Sequence, residues 1–108
     1  MCAWVFYAAA AEVADRCFPD DDPALRKELH RDVAEMDAFI LANSKITPER
    51  LAALKTQQAH VGASKELLCK GELSQIYRSF QQSGLDKLRT AADAMVSRPG
   101  PPTLGDCT

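Results

Sequence analysis

The chain has 108 residues, enough for one domain and too few for two. With 46% hydrophobic and 26% charged residues it has the composition of a globular chain, not a disordered one. Its 13 basic and 15 acidic side chains are mixed along the chain for a formal net charge of -2, so no basic stretch points to nucleic acid, and no apolar run nears the ~20 residues of a membrane-spanning helix.

Ala3 to Ala11 is apolar and rich in small residues. It resembles the end of a signal peptide but lacks a basic segment and sufficient length before it. Three readings stay open: a mature exported chain with Met1 added, a signal remnant, or a native first helix. A helix in the folded protein is favoured, because Trp4, Tyr7 (or Ala8), Ala11, Ala14 and Phe18 recur at spacings of three and four. The wholly hydrophobic stretch from Val5 to Ala10 weakens that pattern.

Phe18-Pro19-Asp20-Asp21-Asp22-Pro23 ends this helix and starts the next, with Asp22 as N-cap and Pro23 at the first helical position. Leu25, Leu29, Val33, Met36 and Ile40 then form the clearest amphipathic stripe in the chain, widened by Phe39. After the turn Asn43-Ser44-Lys45-Ile46, Thr47-Pro48-Glu49 signals a third helix, with Ile46 able to staple onto Leu51. That helix is expected to run to about Lys70, with a weak middle at Gln57, Gln58, Gly62 and Ser64, and Gly71 either as its C′ residue or as the one internal Gly of a continuing helix. Leu73, Ile76, Tyr77 and Phe80 mark a fourth segment ended by Ser83-Gly84, and Leu85, Leu88, Ala91, Ala92 and Met95 a fifth. No strand pattern appears. Arg98-Pro99-Gly100-Pro101-Pro102 opens a tail that cannot be helical.

Helices two and three, each about 20 residues or roughly 30 Å, should form an antiparallel hairpin across a short turn. Segments four and five match that length as one rod broken at Gly84. The expected fold class is therefore all-α: a four-rod up-down helical bundle over residues 1–97, with residues 98–108 as an extended Pro/Gly-rich tail packed on or tethered to it. A more irregular helical array is the alternative.

The four cysteines, Cys2, Cys17, Cys69 and Cys107, contain no CxxC and no zinc-finger spacing. Three full pairings are open in principle. In an up-down bundle Cys17 and Cys69 share one end, while Cys2 and the tail bearing Cys107 share the other. The expected pairs are thus Cys17–Cys69 and Cys2–Cys107, which would imply an oxidising compartment. The competing reading is four free thiols packed as small core residues in a cytoplasmic protein.

His30 and His60 both fall mid-helix by pattern, with no paired ligand spacing. A metal shared by His60 and Cys69 would have to bridge about 13 Å along one helix axis, so no metal site is expected. Asp20-Asp21-Asp22 lacks the glycine and distant Glu of a calcium loop, and helix capping explains it better. Asp37 and Asp93 interrupt helical segments without an evident partner. There is no glycine-rich phosphate loop and no GxSxG elbow, and neither catalytic residues nor a cofactor are assigned. Trp4, Phe6 and Tyr7 are either a binding surface or ordinary core. Trp4, Tyr7, Phe39, Tyr77 and Phe80 are pocket lining if the protein carries a ligand, and bundle core if it does not.

AWVFYAAAAEVADRC near the start, LLC in mid-chain and RPGPPTLGDC at the end resemble small exported bacterial four-cysteine proteins of unknown function. The resemblance covers mainly the two ends of the chain. It implies a disulfide-stapled helical fold outside the cytoplasm and transfers no catalytic residue.

Three functions follow as expectations. The preferred one is a non-enzymatic extracytoplasmic protein that binds another protein or supports an envelope structure. The second is a carrier of a small molecule or cofactor in an apolar pocket between helices. The third is a thiol redox protein with one reactive cysteine.

Overall fold

Pro23 and Pro48, each just after a capping side chain, open two of the six helices in the computed structural model of the chain, which describes residues 2–97, the side chain of Cys2 excepted. The helices are α1 (Cys2–Arg16), α2 (Pro23–Asn43), α3 (Pro48–Gln58), α4 (Lys65–Cys69), α5 (Glu72–Ser83) and α6 (Leu85–Val96), and no strand occurs among the described residues. The capping signals act as read: Asp22 accepts from the Leu25 amide at 3.2 Å and Thr47 from the Arg50 amide at 3.1 Å. Ser64, within the stretch whose helical pattern is weak, caps α4 by accepting from the Leu67 amide at 3.3 Å.

The third helix is shorter than its pattern suggests. Instead of running to Lys70 it ends at Gln58, and α4 is a separate five-residue turn of helix. His60 adopts a left-handed backbone with φ 60° and Gly62 follows with φ 87°, which a continuous helix forbids. The competing stabilisation comes from α1. The Gly62 amide donates to Glu12 Oε2 at 2.7 Å, and Arg16 Nη1 donates to the Ala63 carbonyl at 2.7 Å. Gln57, Gln58 and Gly62 supply no apolar stripe to oppose this. His60 therefore lies in a loop, not mid-helix.

Helix directions follow from the side-chain pairs. Trp4 Nε1 meets Asp37 at one end while Asp15 meets Arg26 and His30 at the other, so α1 and α2 are antiparallel. Arg89 bonds Glu28 and Asp93 bonds Arg31, so α6 runs in the same direction as α2.

Helix α1 lies at the centre, packed against α2, α5, α4 and α3. Ala8, Ala9, Ala10, Ala11 and Ala14 are all buried, which explains why the Val5–Ala10 stretch shows no polar face: a helix covered on several sides is apolar around most of its circumference. Around it close Trp4, Leu25, Leu29, Met36, Ile40, Leu68 and Tyr77, all fully buried. Each large side chain of this set removed from water contributes about 1.5–3 kcal/mol. The stripe read on α2 is thus the main wall of the core.

Candidate functional site

The five aromatic residues read as pocket or core occupy core and boundary positions. Trp4, Tyr7 and Tyr77 are buried, and Phe39 and Phe80 are half-buried. Tyr7 packs edge-on against Phe80 with centroids 4.9 Å apart, and Phe18 stacks on Tyr77 at 5.0 Å. The phenol of Tyr7 donates to the Leu88 carbonyl at 2.7 Å, fastening α6 to α1. Burial, together with the charges of Asp32 and Glu28, raises that phenol to about 12.

Phe6, by contrast, lines a cleft. Between α1, the loop after α3, α4 and α5 lies an open cleft of about 390 Å³. Val5, Phe6 and Ala9 form one wall, Leu67, Leu73 and Ile76 the other, and Gln58, His60 and Glu72 supply polar groups. Phe6 is 45% exposed and Leu67 50% exposed, so two large apolar side chains stand in solvent at its walls. The break in the third helix builds this cleft, because it places His60 and then Leu67 beside α1 instead of continuing a rod. Sequence reasoning found Phe6 through the Trp4-Phe6-Tyr7 cluster. It missed Leu67, Leu73 and Ile76, because a side chain left open to water follows the same periodicity as a buried one.

Cys17 and Cys69 stand at disulfide distance with Cα atoms 5.6 Å apart, as the shared bundle end predicts. A shallow cleft over the pair is lined by Arg16, Lys65, Glu66 and Lys70. The expected Cys2–Cys107 pair lies outside the described residues, as does the tail at 98–108.

Asp37 and Asp93 both have partners. Asp37 accepts from Trp4 Nε1 at 2.7 Å and from Lys55 Nζ at 2.5 Å, and Asp93 accepts from Arg31 Nη2 at 3.0 Å. Of the three consecutive aspartates, Asp22 caps α2, while Asp21 accepts from Tyr77 at 3.1 Å, from Arg78 at 3.0 Å and from Gln81 at 3.2 Å. Desolvation pushes the Asp21 carboxyl up, but these bonds outweigh it and hold it below the usual range. His30 is exposed and meets Asp15 at 2.7 Å. Among the described residues, no three His, Cys, Asp or Glu side chains gather as metal ligands would.

The densest charged cluster is the α2–α6 seam. Arg31 Nη1 reaches Asp32 at 2.6 Å and Glu28 and Glu35 at 3.4 Å, while its Nη2 reaches Asp93. Arg89 holds Glu28 at 2.9 Å. Asp32 is fully buried, and its Oδ2 has no hydrogen-bond partner among the described residues. Burial first, then Glu28 beside it, raises the Asp32 carboxyl to about 7. Burial raises Glu35 as well, helped by Asp93. At Glu28 burial is outweighed by the Asp32 hydrogen bond and the two guanidiniums, and the carboxyl stays low. Arg31, then Glu35, hold Asp93 low.

Fold and cleft together define a small all-helical protein with a half-open apolar groove. No protein-family model matches the chain, and no curated protein or solved structure matches it.

Proposed function

We propose that this is a non-enzymatic helical binding protein of an extracytoplasmic compartment, which receives an apolar projection of another protein in the cleft between α1, α4 and α5. One observation carries the reading: Phe6 and Leu67 stand about half in solvent at the walls of an apolar cleft of about 390 Å³. Large apolar side chains bordering a concave surface are the usual anchors of a protein contact. The extracytoplasmic assignment rests on Cys17 and Cys69 at disulfide distance, on the even cysteine count, and on the resemblance of the chain ends to exported four-cysteine proteins.

The finer architecture belongs to the same proposal. The opposed directions of α1 and α2, and the shared direction of α2 and α6, support a four-rod up-down arrangement. Its third rod is interrupted after Gln58 and its fourth is broken at Gly84. In such an arrangement Ser97 leaves the last rod at the end where α1 begins, while the expected tail and Cys2–Cys107 pair lie outside the described residues.

A photoreactive benzoylphenylalanine at position 6 or 67, introduced in the producing cell, tests the binding reading. Both positions should crosslink to the same protein, and the same group at the exposed Lys27 on α2 should not. Equal crosslinking from all three positions, or none from the cleft, would sink the proposal. The size of the cleft, with Gln58, His60 and Glu72 in it, favours a small amphipathic molecule as the second reading. Native mass spectrometry showing a stoichiometric non-protein ligand, lost in a Phe6→Asp variant, would select that reading instead.

A further inference from the structure

Four carboxylates and two guanidiniums meet where α6 lies on α2. Around Asp32 face the Tyr7 phenol from α1, Glu28, Arg31 and Glu35 from α2, and Arg89 and Asp93 from α6. With every carboxylate ionised the seam carries more negative than positive charge. Glu28 and Asp32 are also four residues apart on one helix face, the spacing at which like charges repel. Asp32 is fully buried; Arg31 satisfies its Oδ1 at 2.6 Å, and its Oδ2 is without a partner among the described residues. A buried carboxylate oxygen with an empty coordination sphere is costly, whereas a protonated one is a donor that Glu28 can accept.

We infer that the α2–α6 seam is a proton-operated clamp, in which one proton held between Asp32 and Glu28 keeps α6 seated and loss of that proton loosens α6 ahead of the rest of the protein. Apart from the cluster, α6 is held by side-chain packing, with Met95 and Val96 partly buried against the core. Leu88 and Ala92 are its buried side chains, the Tyr7 phenol holds the Leu88 carbonyl, and both cross-seam ion pairs, Arg89–Glu28 and Arg31–Asp93, belong to the cluster itself. Neither of those pairs binds a proton between pH 6 and 8: Glu28 and Asp93 are held low, and the guanidiniums stay charged throughout. The titration in this window is therefore that of Asp32.

The sign is fixed by proton linkage. A carboxyl raised in the folded state binds its proton more tightly there than in a detached, hydrated α6. Its stabilising effect is complete below the ordinary carboxylate range and fades as pH rises through about 7. With a folded-state midpoint near that value, the opening constant of α6 rises about tenfold between pH 6 and 8.

Native-state hydrogen exchange, corrected for intrinsic rates, measures that constant helix by helix. The amides of α6 should lose about tenfold in protection between pH 6 and 8, while those of α2 and α3 hold theirs. Asp32→Asn, which keeps an acceptor for Arg31 and a donor for Glu28, should flatten the profile. A carboxyl ¹³C titration of Asp32 in the unmodified protein supplies a check independent of any variant, and its midpoint should coincide with the loosening of α6. An ordinary Asp32 midpoint near 4, a loosening shared equally by all helices, or an unchanged pH profile in Asp32→Asn would overturn the inference.

Discussion

Asp37 accepts from the Trp4 indole at 2.7 Å and from Lys55 at 2.5 Å, so a single carboxylate on α2 ties down both α1 and α3. Trp4 is fully buried, and its N–H has no water to turn to. Replacing Asp37 by Ala should cost about 2–3 kcal/mol in urea unfolding, because a buried donor is left unmade. Asp37→Asn retains an acceptor and should cost about half as much. Equal losses in the two variants would show that the Lys55 pair, not the indole bond, is what matters. Tyr7, one turn further along α1, makes a comparable link to α6. Tyr7→Phe keeps the ring against Phe80 but removes the phenol's bond to the Leu88 carbonyl, at an expected cost of about 1 kcal/mol. Neither link is visible in the chain order. Asp37 and Asp93 look like interruptions of helical stripes because a stripe describes one helix alone, and the partners lie on others.

Among the elements, α1 and α2 conform most closely to their patterns, and the span from α3 to α4 departs most. The α2 stripe faces α1 and the core along its whole length, so periodicity and burial agree. The α3–α4 break arises from a conflict that local propensity cannot register. His60 and Gly62 take positive φ because Glu12 and Arg16 of α1 accept from and donate to the loop backbone. His60→Gly should relieve the left-handed strain and raise stability by up to about 1 kcal/mol, unless the imidazole itself supports the cleft. A loss of stability in thermal unfolding would identify that support. Gly84 is the opposite case, legible as a break and confirmed as one. Its φ of 91° and ψ of 154° fall in a region open essentially to glycine. A methyl group at this position would meet nothing within 4 Å, so the cost of Gly84→Ala is backbone strain alone, about 1–3 kcal/mol by chemical denaturation.

For the whole molecule, the span between Cys17 and Cys69 is the covalent lever among the described residues. Their sequence separation is 52, and closing such a loop restricts the unfolded chain by about 4 kcal/mol on the chain-entropy account. A Cys17→Ser/Cys69→Ser variant should lose a stabilisation of that order in urea, with far-UV helicity retained at low denaturant. An unchanged midpoint would mean that the two sulfurs are not bonded in the purified protein. The same end of the molecule carries Asp21 with Tyr77 and Arg78, whose guanidinium lies over the Phe18 ring with its Cζ 4.5 Å from the centroid. Staple and aromatic cluster therefore reinforce one another, whereas the seam at α6 depends on charge.

The all-helical class, the caps at Asp22 and Thr47, the α2 stripe and the break at Gly84 were all determined by the sequence by itself. Each depends on local backbone chemistry or on helix lengths, which a linear pattern records. Tertiary structure alone decided where α3 stops, that α1 is the central helix, that Phe6 and Leu67 remain in solvent beside a cleft, and that Asp32 is buried among like charges. Those features are set by which side chains of distant segments meet, and by how much water their meeting excludes.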